Sequence, residues 1–199
     1  MELLVISGES FFTGETALVN QLFEEGMQIF HLRKPASSRE ETKAFLATIN
    51  PEHRPKVSLH HHHYIASDYG INRLHYPVKK RAETTAIELD KQNKTGSILS
   101  TSAHSIEEVN SLDSCYSYSF ISPVFNSISK PGYEGFYQEN FSLIRGRSCI
   151  KYIALGGINA NNITRIKSLS FDGAAVLGAI WQEPKNAVYN FKELKDLCS

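Results

Sequence analysis

Two glycine-rich stretches in the last quarter of the chain have the composition of an anion-binding site. Gly156-Gly157-Ile158 follows the apolar run 152–155, and Gly178 closes Val176-Leu177-Gly178 after the run 173–177. Glycine has no Cβ, so its backbone N–H groups approach an anion closely, and a helix that starts at Gly178 adds partial positive charge. We predict a phosphate site here; tight turns alone are the alternative reason for these glycines.

Hydroxyl and basic side chains occur in two further segments. The segment after Ile121 has an S-x-S-K pattern, formed by Ser127, Ser129 and Lys130, and Arg33 closes the run 28–33. Hydroxyls and cations both donate hydrogen bonds to phosphate oxygens, and the arginine fork binds anions in pairs of bonds. The alternatives are a solvated loop for the S-x-S-K segment and a surface ion pair for Arg33.

His104 is the candidate for proton transfer. It follows the predicted strand 97–101 and precedes the helix that Ser105 begins. A histidine in this position exchanges protons near neutral pH. The alternative is a loop or capping histidine.

A run of four histidines, His60 to His63, is the most biased stretch of the chain, and His75 comes one predicted strand later. Because side chains alternate along a strand, the run presents only two of its histidines to one side. A Zn²⁺ site needs three or four ligands, for which His75 is a possible third. We prefer the interpretation of a polar strand end whose histidines meet solvent and neighbouring groups.

These residues belong to a chain in which short apolar runs alternate with helical patterns, as in repeated βαβ units. We predict a single (β/α)8 TIM barrel over residues 1–199, with a doubly wound open sheet as the alternative. In a barrel, the candidate residues share the C-terminal ends of the strands. The predicted strands are 3–7, 28–33, 56–61, 73–76, 97–101, 116–122, 152–155 and 173–177. The predicted helices are 16–25, one from Ser38, a short one after strand 3, one within 79–94, one from Ser105, one after about 138, 160–169 and 187–197.

Composition excludes several classes of protein. Lys plus Arg and Asp plus Glu both number 21, so the chain has no basic excess for nucleic acid. The three cysteines, Cys115, Cys149 and Cys198, form no disulfide framework, which favours reduced thiols and a cytoplasmic protein. No apolar stretch approaches the ~18 residues of a membrane span, and the N-terminus reads as a strand rather than a signal peptide.

The ordered set of motifs resembles the thiamine phosphate synthase/TenI superfamily, over most of the chain. The segments that carry this resemblance are FHLRKP at 30–35, HH at 60–61, LHYPVKK at 74–80, SAHS at 102–105, SPVFNSISK at 122–130, GGI at 156–158 and LGAI at 177–180. The resemblance implies a homodimer and a site for thiazole phosphate. The phosphate ligands that it implies are Gly156, Gly157, Gly178 and Ala179. The further substrate or diphosphate contacts are Arg33, Ser102, Ser127, Ser129 and Lys130.

Synthases of this superfamily also bind Mg²⁺ through two aspartates, and here those positions fall on His61 and Lys80. Mg²⁺ prefers oxygen ligands, so histidine and lysine replace them poorly. The family's first-motif glutamine is His31 and its lysine is Pro35, and the adjacent Lys34 points to the opposite face. The departures resemble the TenI branch, in which a carboxylated thiazole tautomer is aromatised without metal and the S-x-H histidine, here His104, is the candidate acid/base.

Three functions remain open from the sequence. The preferred one is a TenI-like thiazole tautomerase that needs no cofactor. The second is a divergent thiamine phosphate synthase, which joins pyrimidine diphosphate to thiazole phosphate and depends on Mg²⁺. The third is a non-catalytic barrel that binds thiazole phosphate.

Overall fold

The computed structural model describes residues 1–126, 143 and 149–199. Eight parallel strands pair in chain order and β8 pairs with β1, which closes the barrel. The strands are β1 Glu2–Ile6, β2 Ile29–Leu32, β3 Val57–Leu59, β4 Arg73–Tyr76, β5 Ile98–Ala103, β6 Tyr116–Ile121, β7 Lys151–Leu155 and β8 Gly173–Val176. The predicted (β/α)8 barrel is therefore confirmed, and the open-sheet alternative is wrong because an open sheet has no pairing between its first and last strands.

Helices connect the strands on the outside of the barrel. In the described residues they are α1 Glu15–Glu24, α2 Arg39–Thr48, α3 Val78–Glu83, α4 Ala86–Lys94, α5 Ile106–Asn110, α6 Ile163–Ser168, α7 Gly178–Trp181 and α8 Ala187–Cys198. Short 3-10 helices cover Pro51–Lys56, His63–Tyr69 and Pro184–Asn186. None of the helices in the described part of the chain has the length and apolarity to cross a membrane.

Local signals in the sequence account for most of the helix boundaries. Ser38 caps α2 through a capping box with Glu41, as its spacing predicts. The segment 79–94 holds two helices instead of the one predicted, because Thr85 forms a second capping box with Glu88 and begins α4 there. The new cap divides a segment that has little apolar periodicity of its own.

Two hydrophobic layers hold the barrel together. Large aliphatic and aromatic side chains fill the space between strands and helices, and a smaller cluster fills the interior. The interior cluster consists of Leu4, Ile6, Tyr118, Phe120, Ile153 and Ala175. Alternation along the strands places polar residues beside it, including His31 and His75, whose rings both contact Phe120. The interior of this barrel is therefore polar on the side of β2 to β5.

Candidate active site at the C-terminal end of the barrel

The predicted site residues come together because all eight strands are parallel. Arg33 follows β2, His60 follows β3, His104 follows β5 and Gly156 follows β7, so all four lie at one end of the barrel. This is the end at which barrel enzymes carry their active sites, since the loops after the strands converge there.

His104 is exposed, and its hydrogen bonds orient its imidazole ring. Nδ1 lies 3.1 Å from the carbonyl oxygen of Ser122, which follows β6. A carbonyl oxygen only accepts, so Nδ1 carries the proton and Nε2 keeps its lone pair in the neutral ring. The ring is therefore held as a base whose free nitrogen is Nε2, the arrangement that proton abstraction requires.

A partly buried ion pair supports the backbone of His104. The His104 N–H donates to Glu108 Oε2 at 2.7 Å, and Arg81 pairs with the other carboxylate oxygen of Glu108. Arg81 also donates to Thr101 Oγ1 at 2.9 Å. Burial alone would raise the pKa of Glu108, but the His104 N–H and the Arg81 guanidinium outweigh it and hold that pKa below its ordinary value. No motif in the sequence marks Arg81 or Glu108 as a residue that supports His104.

Ser102 lies inside β5, one residue beyond the predicted end of that strand. Alternation turns Ser100 and Ser102 to the same side, and the Ser102 hydroxyl lies 3.1 Å from His75 Nε2. Its side chain is thus directed into the barrel, and its hydroxyl is already bonded to a buried histidine. The role of Ser102 as a substrate contact, which the resemblance implies, stays a prediction.

Arg33 pairs with Glu9, which follows β1, through an Nη1–Oε1 distance of 2.8 Å. Both side chains are well exposed, at 36% and 59%, so the pair contributes little to stability. The surface ion pair considered from the sequence is therefore present.

The Lys34 side chain forms a buried ion pair away from the mouth of the barrel, as the alternation of side chains along a strand predicts. Its ammonium lies 2.7 and 2.8 Å from the two carboxylate oxygens of Glu15, and it also donates to the Ser10 carbonyl at 2.8 Å. Both partners are almost completely buried, at 2% and 1% exposure. Lys34 joins β2 to α1 and does not serve as a phosphate ligand.

The segment 123–126 passes so close to positions 156 and 157 that both must be glycine. Their φ angles are +102° and +66°, in the left-handed region. A Cβ on Gly156 would lie 2.9 Å from Pro123 Cα, and one on Gly157 would lie 2.5 Å from the Asn126 carbonyl oxygen. The tight packing considered as an alternative is thus real, and it accounts for both glycines without a ligand.

Gly157→Ala is expected to destabilise the fold by about 1–2 kcal/mol through its left-handed backbone and by a further ~1–3 kcal/mol through overpacking. Gly70→Ala is the matched control, because Gly70 also has a φ of +66° but has open space around the added Cβ. Urea unfolding of both variants measures the difference. Equal losses of free energy would contradict the close-approach explanation.

Gly178 behaves differently from the glycine pair. It begins α7 directly after Leu177, and an added Cβ would meet only Gln182 Cδ at 4.0 Å. Packing therefore gives no reason for a glycine here. Trp181 anchors this short helix by donating from Nε1 to the Ile6 carbonyl at 2.7 Å. The open space beside Gly178 leaves room for a ligand at the end of β8.

Three of the predicted anion contacts, Ser127, Ser129 and Lys130, lie outside the described residues. Their assignment stays a prediction.

The histidine run does not behave as a single polar strand end. His61, His62 and His63 are half-buried, whereas His60 is 3% exposed and His75 is 1% exposed. The solvent-facing interpretation is therefore wrong for His60 and His75. Both join His31 inside the barrel, with His31 Nδ1 lying 3.0 Å from His60 Nε2. Sequence reasoning missed His31 as their partner, although alternation places it on the inward side.

Burial keeps these three histidines neutral. It lowers the pKa of His31 to about 3, with the charge of Arg73 adding to the effect. It also lowers the pKa values of His60 and His75 well below the ordinary range, and the neighbouring imidazoles contribute further.

The free energy of unfolding is expected to fall as the pH drops below about 6.5. The unfolded chain then binds protons that the folded chain excludes, so each of the three histidines contributes a loss of up to about 1.4 kcal/mol per pH unit. Urea unfolding at pH 7.5, 6.5 and 5.5 measures this slope above the range in which carboxylates titrate. A free energy that stays constant or rises on acidification would exclude buried neutral histidines.

The two positions that the resemblance assigns to Mg²⁺ ligands do not fit that ion. Burial lowers the pKa of His61, and the charges of His62 and Lys80 lower it further, so the surroundings are cationic. Asp68 is the one carboxylate in the segment 58–80, and it pairs with Lys43 on the surface at 3.7 Å. A hard cation finds no oxygen donors at these two positions.

Known proteins of related sequence are thiamine phosphate synthases. A family model described as thiamine monophosphate synthase matches residues 3–180. A thiamine-phosphate synthase of Prochlorococcus marinus is 34% identical over 84 residues, which are 42% of this chain and 24% of that protein. The chain thus spans about a quarter of that relative's length.

Two solved structures share the whole barrel. A thiamine phosphate pyrophosphorylase from Bacteroides thetaiotaomicron is 27% identical with a TM-score of 0.76, covering 100% of this chain and 98% of its own. One from Pyrococcus furiosus, 19% identical with a TM-score of 0.75 and covering 98% and 94%, shares the fold. The match of the family model over nearly the whole chain shows that this protein belongs to the thiamine monophosphate synthase family.

Proposed function

We propose that the protein binds a thiazole phosphate and catalyses a metal-free proton shift on it, as a thiazole tautomerase. His104 serves as general acid/base, and the ends of β7 and β8 hold the phosphate. The observation that carries the proposal is the orientation of His104, whose Nδ1 proton is bonded to the Ser122 carbonyl while Nε2 stays available as a base.

The phosphate half of the proposed site rests on α7 and its surroundings. Gly178 and Ala179 form the first turn of α7, which follows β8, and the first N–H groups of a helix have no partner within the helix. The open space at Gly178 admits a phosphate oxygen close to the backbone. Gly156 and Gly157 shape the neighbouring turn, and Asn162 fixes it by donating to the Gly157 carbonyl at 2.8 Å.

The chemical half needs only proton transfer. In the proposed reaction a carboxylated thiazole tautomer loses a proton from one carbon and gains one at another, so that the ring becomes aromatic and no atom is lost overall. His104 Nε2 accepts the first proton, and the resulting imidazolium returns a proton to the second carbon. The Ser122 carbonyl favours both steps, since it stabilises the Nδ1 proton in either charge state.

The cationic surroundings of the mouth support a substrate with negative charge beyond the phosphate. Arg33, released from Glu9, and Lys80 are the basic groups on the side of β2 to β4. They suit the carboxylate of the tautomer, and Lys80 stands where a synthase has an oxygen ligand for Mg²⁺.

A thiamine phosphate synthase is the second candidate, and the names of the similar proteins favour it. That reaction releases diphosphate and depends on Mg²⁺. The presence of His61 and Lys80 at the two positions of the Mg²⁺-binding aspartates argues against it. A barrel that binds thiazole phosphate without turnover is the third.

The test follows aromatisation of the carboxylated thiazole phosphate tautomer by NMR in D₂O, with EDTA present. We expect turnover with deuterium at the newly protonated carbon and no loss of rate in EDTA. Tight binding of thiazole phosphate without turnover would contradict the proposal and indicate the non-catalytic barrel.

A further inference from the structure

Three histidines from neighbouring strands meet inside the barrel, apart from His104. His31 lies in β2, His60 directly after β3 and His75 in β4. One ring nitrogen from each can be chosen so that all three lie within 4.8 Å of one another. In the part of the chain that the structure describes, no other group of three or more His, Cys, Asp or Glu side chains meets this condition.

The three side chains stand on a rigid support. Alternation along adjacent, hydrogen-bonded parallel strands directs all three to the inside, and each is at most 3% exposed. Strands position side chains more accurately than loops do. The cluster is thus preformed by the fold.

Hydroxyl groups contact the outer nitrogen of His31 and both nitrogens of His75. His31 Nε2 lies 2.8 Å from the Tyr118 hydroxyl, while its Nδ1 faces His60. His75 contacts two serines, with Nδ1 3.0 Å from Ser100 Oγ and Nε2 3.1 Å from Ser102 Oγ. Histidine ligands of metals commonly donate their second N–H to such a partner, which fixes the tautomer and the ring orientation.

The chemistry of the cluster selects the ion. Three imidazoles without a carboxylate suit borderline metals such as Zn²⁺ and Co²⁺ and disfavour Mg²⁺. Two nitrogens on one tetrahedral Zn²⁺ lie ~3.3 Å apart at the usual bond lengths. The pair His31 Nδ1 and His60 Nε2, at 3.0 Å, is close to that separation already.

His75 must turn to complete the set. Its ring stacks on that of His60, with centroids 4.0 Å apart and an interplanar angle of 25°. Stacked rings do not converge on one ion in their planes, so coordination requires a rotation about χ2, a soft torsion for histidine. That rotation replaces one of the two serine contacts by a metal bond and leaves the other.

We propose that His31, His60 and His75 form a three-histidine site for a borderline transition metal such as Zn²⁺, with the fourth position left to water or a small anion. The ion stabilises the fold on the side of β2 to β4 and takes no part in the proton shift at His104. The proposal therefore stands or falls independently of the tautomerase assignment.

The test uses untagged protein that has been treated with EDTA, dialysed and titrated with Co²⁺. We expect one equivalent per chain, with the visible absorption of four-coordinate Co²⁺, and displacement by one equivalent of Zn²⁺. Zn²⁺ is also expected to raise the thermal unfolding midpoint, and EDTA to reverse the rise. Absence of saturable binding in the unsubstituted protein would overturn the proposal without any variant.

Two classes of variant locate the ion. His60→Asn and His75→Asn are expected to weaken Co²⁺ binding by at least ~100-fold, since even outer partners of a metal site contribute about 10–100-fold. His62→Asn is the matched control: His62 lies in the same run and has a φ of +54°, a conformation that asparagine tolerates. Loss of binding in His62→Asn with retention in His60→Asn would assign the ion to the half-buried histidines and overturn the proposal.

Discussion

His104→Asn is expected to lower the rate of thiazole tautomerisation by about 10²–10⁴-fold, the usual contribution of a positioned acid/base. Asparagine retains an N–H donor for the Ser122 carbonyl but provides no base in place of Nε2. Thiazole phosphate binding is expected to change by no more than a few fold, because the proposed phosphate contacts follow β7 and β8, whereas His104 follows β5. Steady-state kinetics and calorimetric binding measure the two effects separately.

His62→Asn is the control for this substitution, since it makes the same change at another histidine at the same end of the barrel and suits the left-handed backbone there. Full activity in the His104 variant would remove His104 from the mechanism. A parallel loss of binding and rate would indicate that His104 is a binding residue.

Lys34→Met is expected to reduce the free energy of unfolding by about 3–5 kcal/mol, because it leaves the Glu15 carboxylate buried without its cation. The double variant Lys34→Met/Glu15→Leu is expected to recover most of this loss, since apolar replacement of a buried pair is often close to neutral. Lys94→Met removes one partner of the exposed Asp90–Lys94 pair, and its expected effect is no more than about 0.5 kcal/mol.

This second prediction also distinguishes a structural lysine from a phosphate ligand. The Lys34 ammonium is bound to Glu15 and the Ser10 carbonyl, so substrate affinity in the folded variant is expected to stay unchanged. Weaker thiazole phosphate binding with unchanged stability would contradict that assignment.

The fold and the position of the site follow from patterns that are visible in the sequence. The alternation of apolar runs and helices predicts eight strands, and their parallel arrangement then brings Arg33, His104 and Gly156 to one end. The opposite directions of Arg33 and Lys34 also follow, because neighbouring side chains on a strand point to opposite faces. Local geometry fixes these features, so single segments suffice to predict them.

Contacts between distant segments were not predictable in the same way. His31, His60 and His75 become a cluster only when the barrel closes, and the Arg81–Glu108 pair that supports His104 joins two helices. The packing of Gly157 against the Asn126 carbonyl depends on how the segment after β6 crosses the end of β7. In each case the determining contact links residues that no spacing in the sequence relates.

The same distinction applies to the glycines. Gly156, Gly157 and Gly178 appear in the sequence as one phosphate motif. Backbone packing explains the first two glycines, whereas Gly178 has open space around it and no packing reason to be glycine. The phosphate assignment therefore depends most on Gly178 and the first turn of α7.

The most direct measurement compares two reactions in one preparation, each with Mg²⁺ and with EDTA. One starts from the carboxylated thiazole phosphate tautomer, and the other from pyrimidine diphosphate with thiazole phosphate. We predict aromatisation of the tautomer at the same rate in both conditions, and no release of diphosphate from the second pair. Mg²⁺-dependent formation of thiamine phosphate would contradict the account and show that His61 and Lys80 do not prevent the synthase reaction.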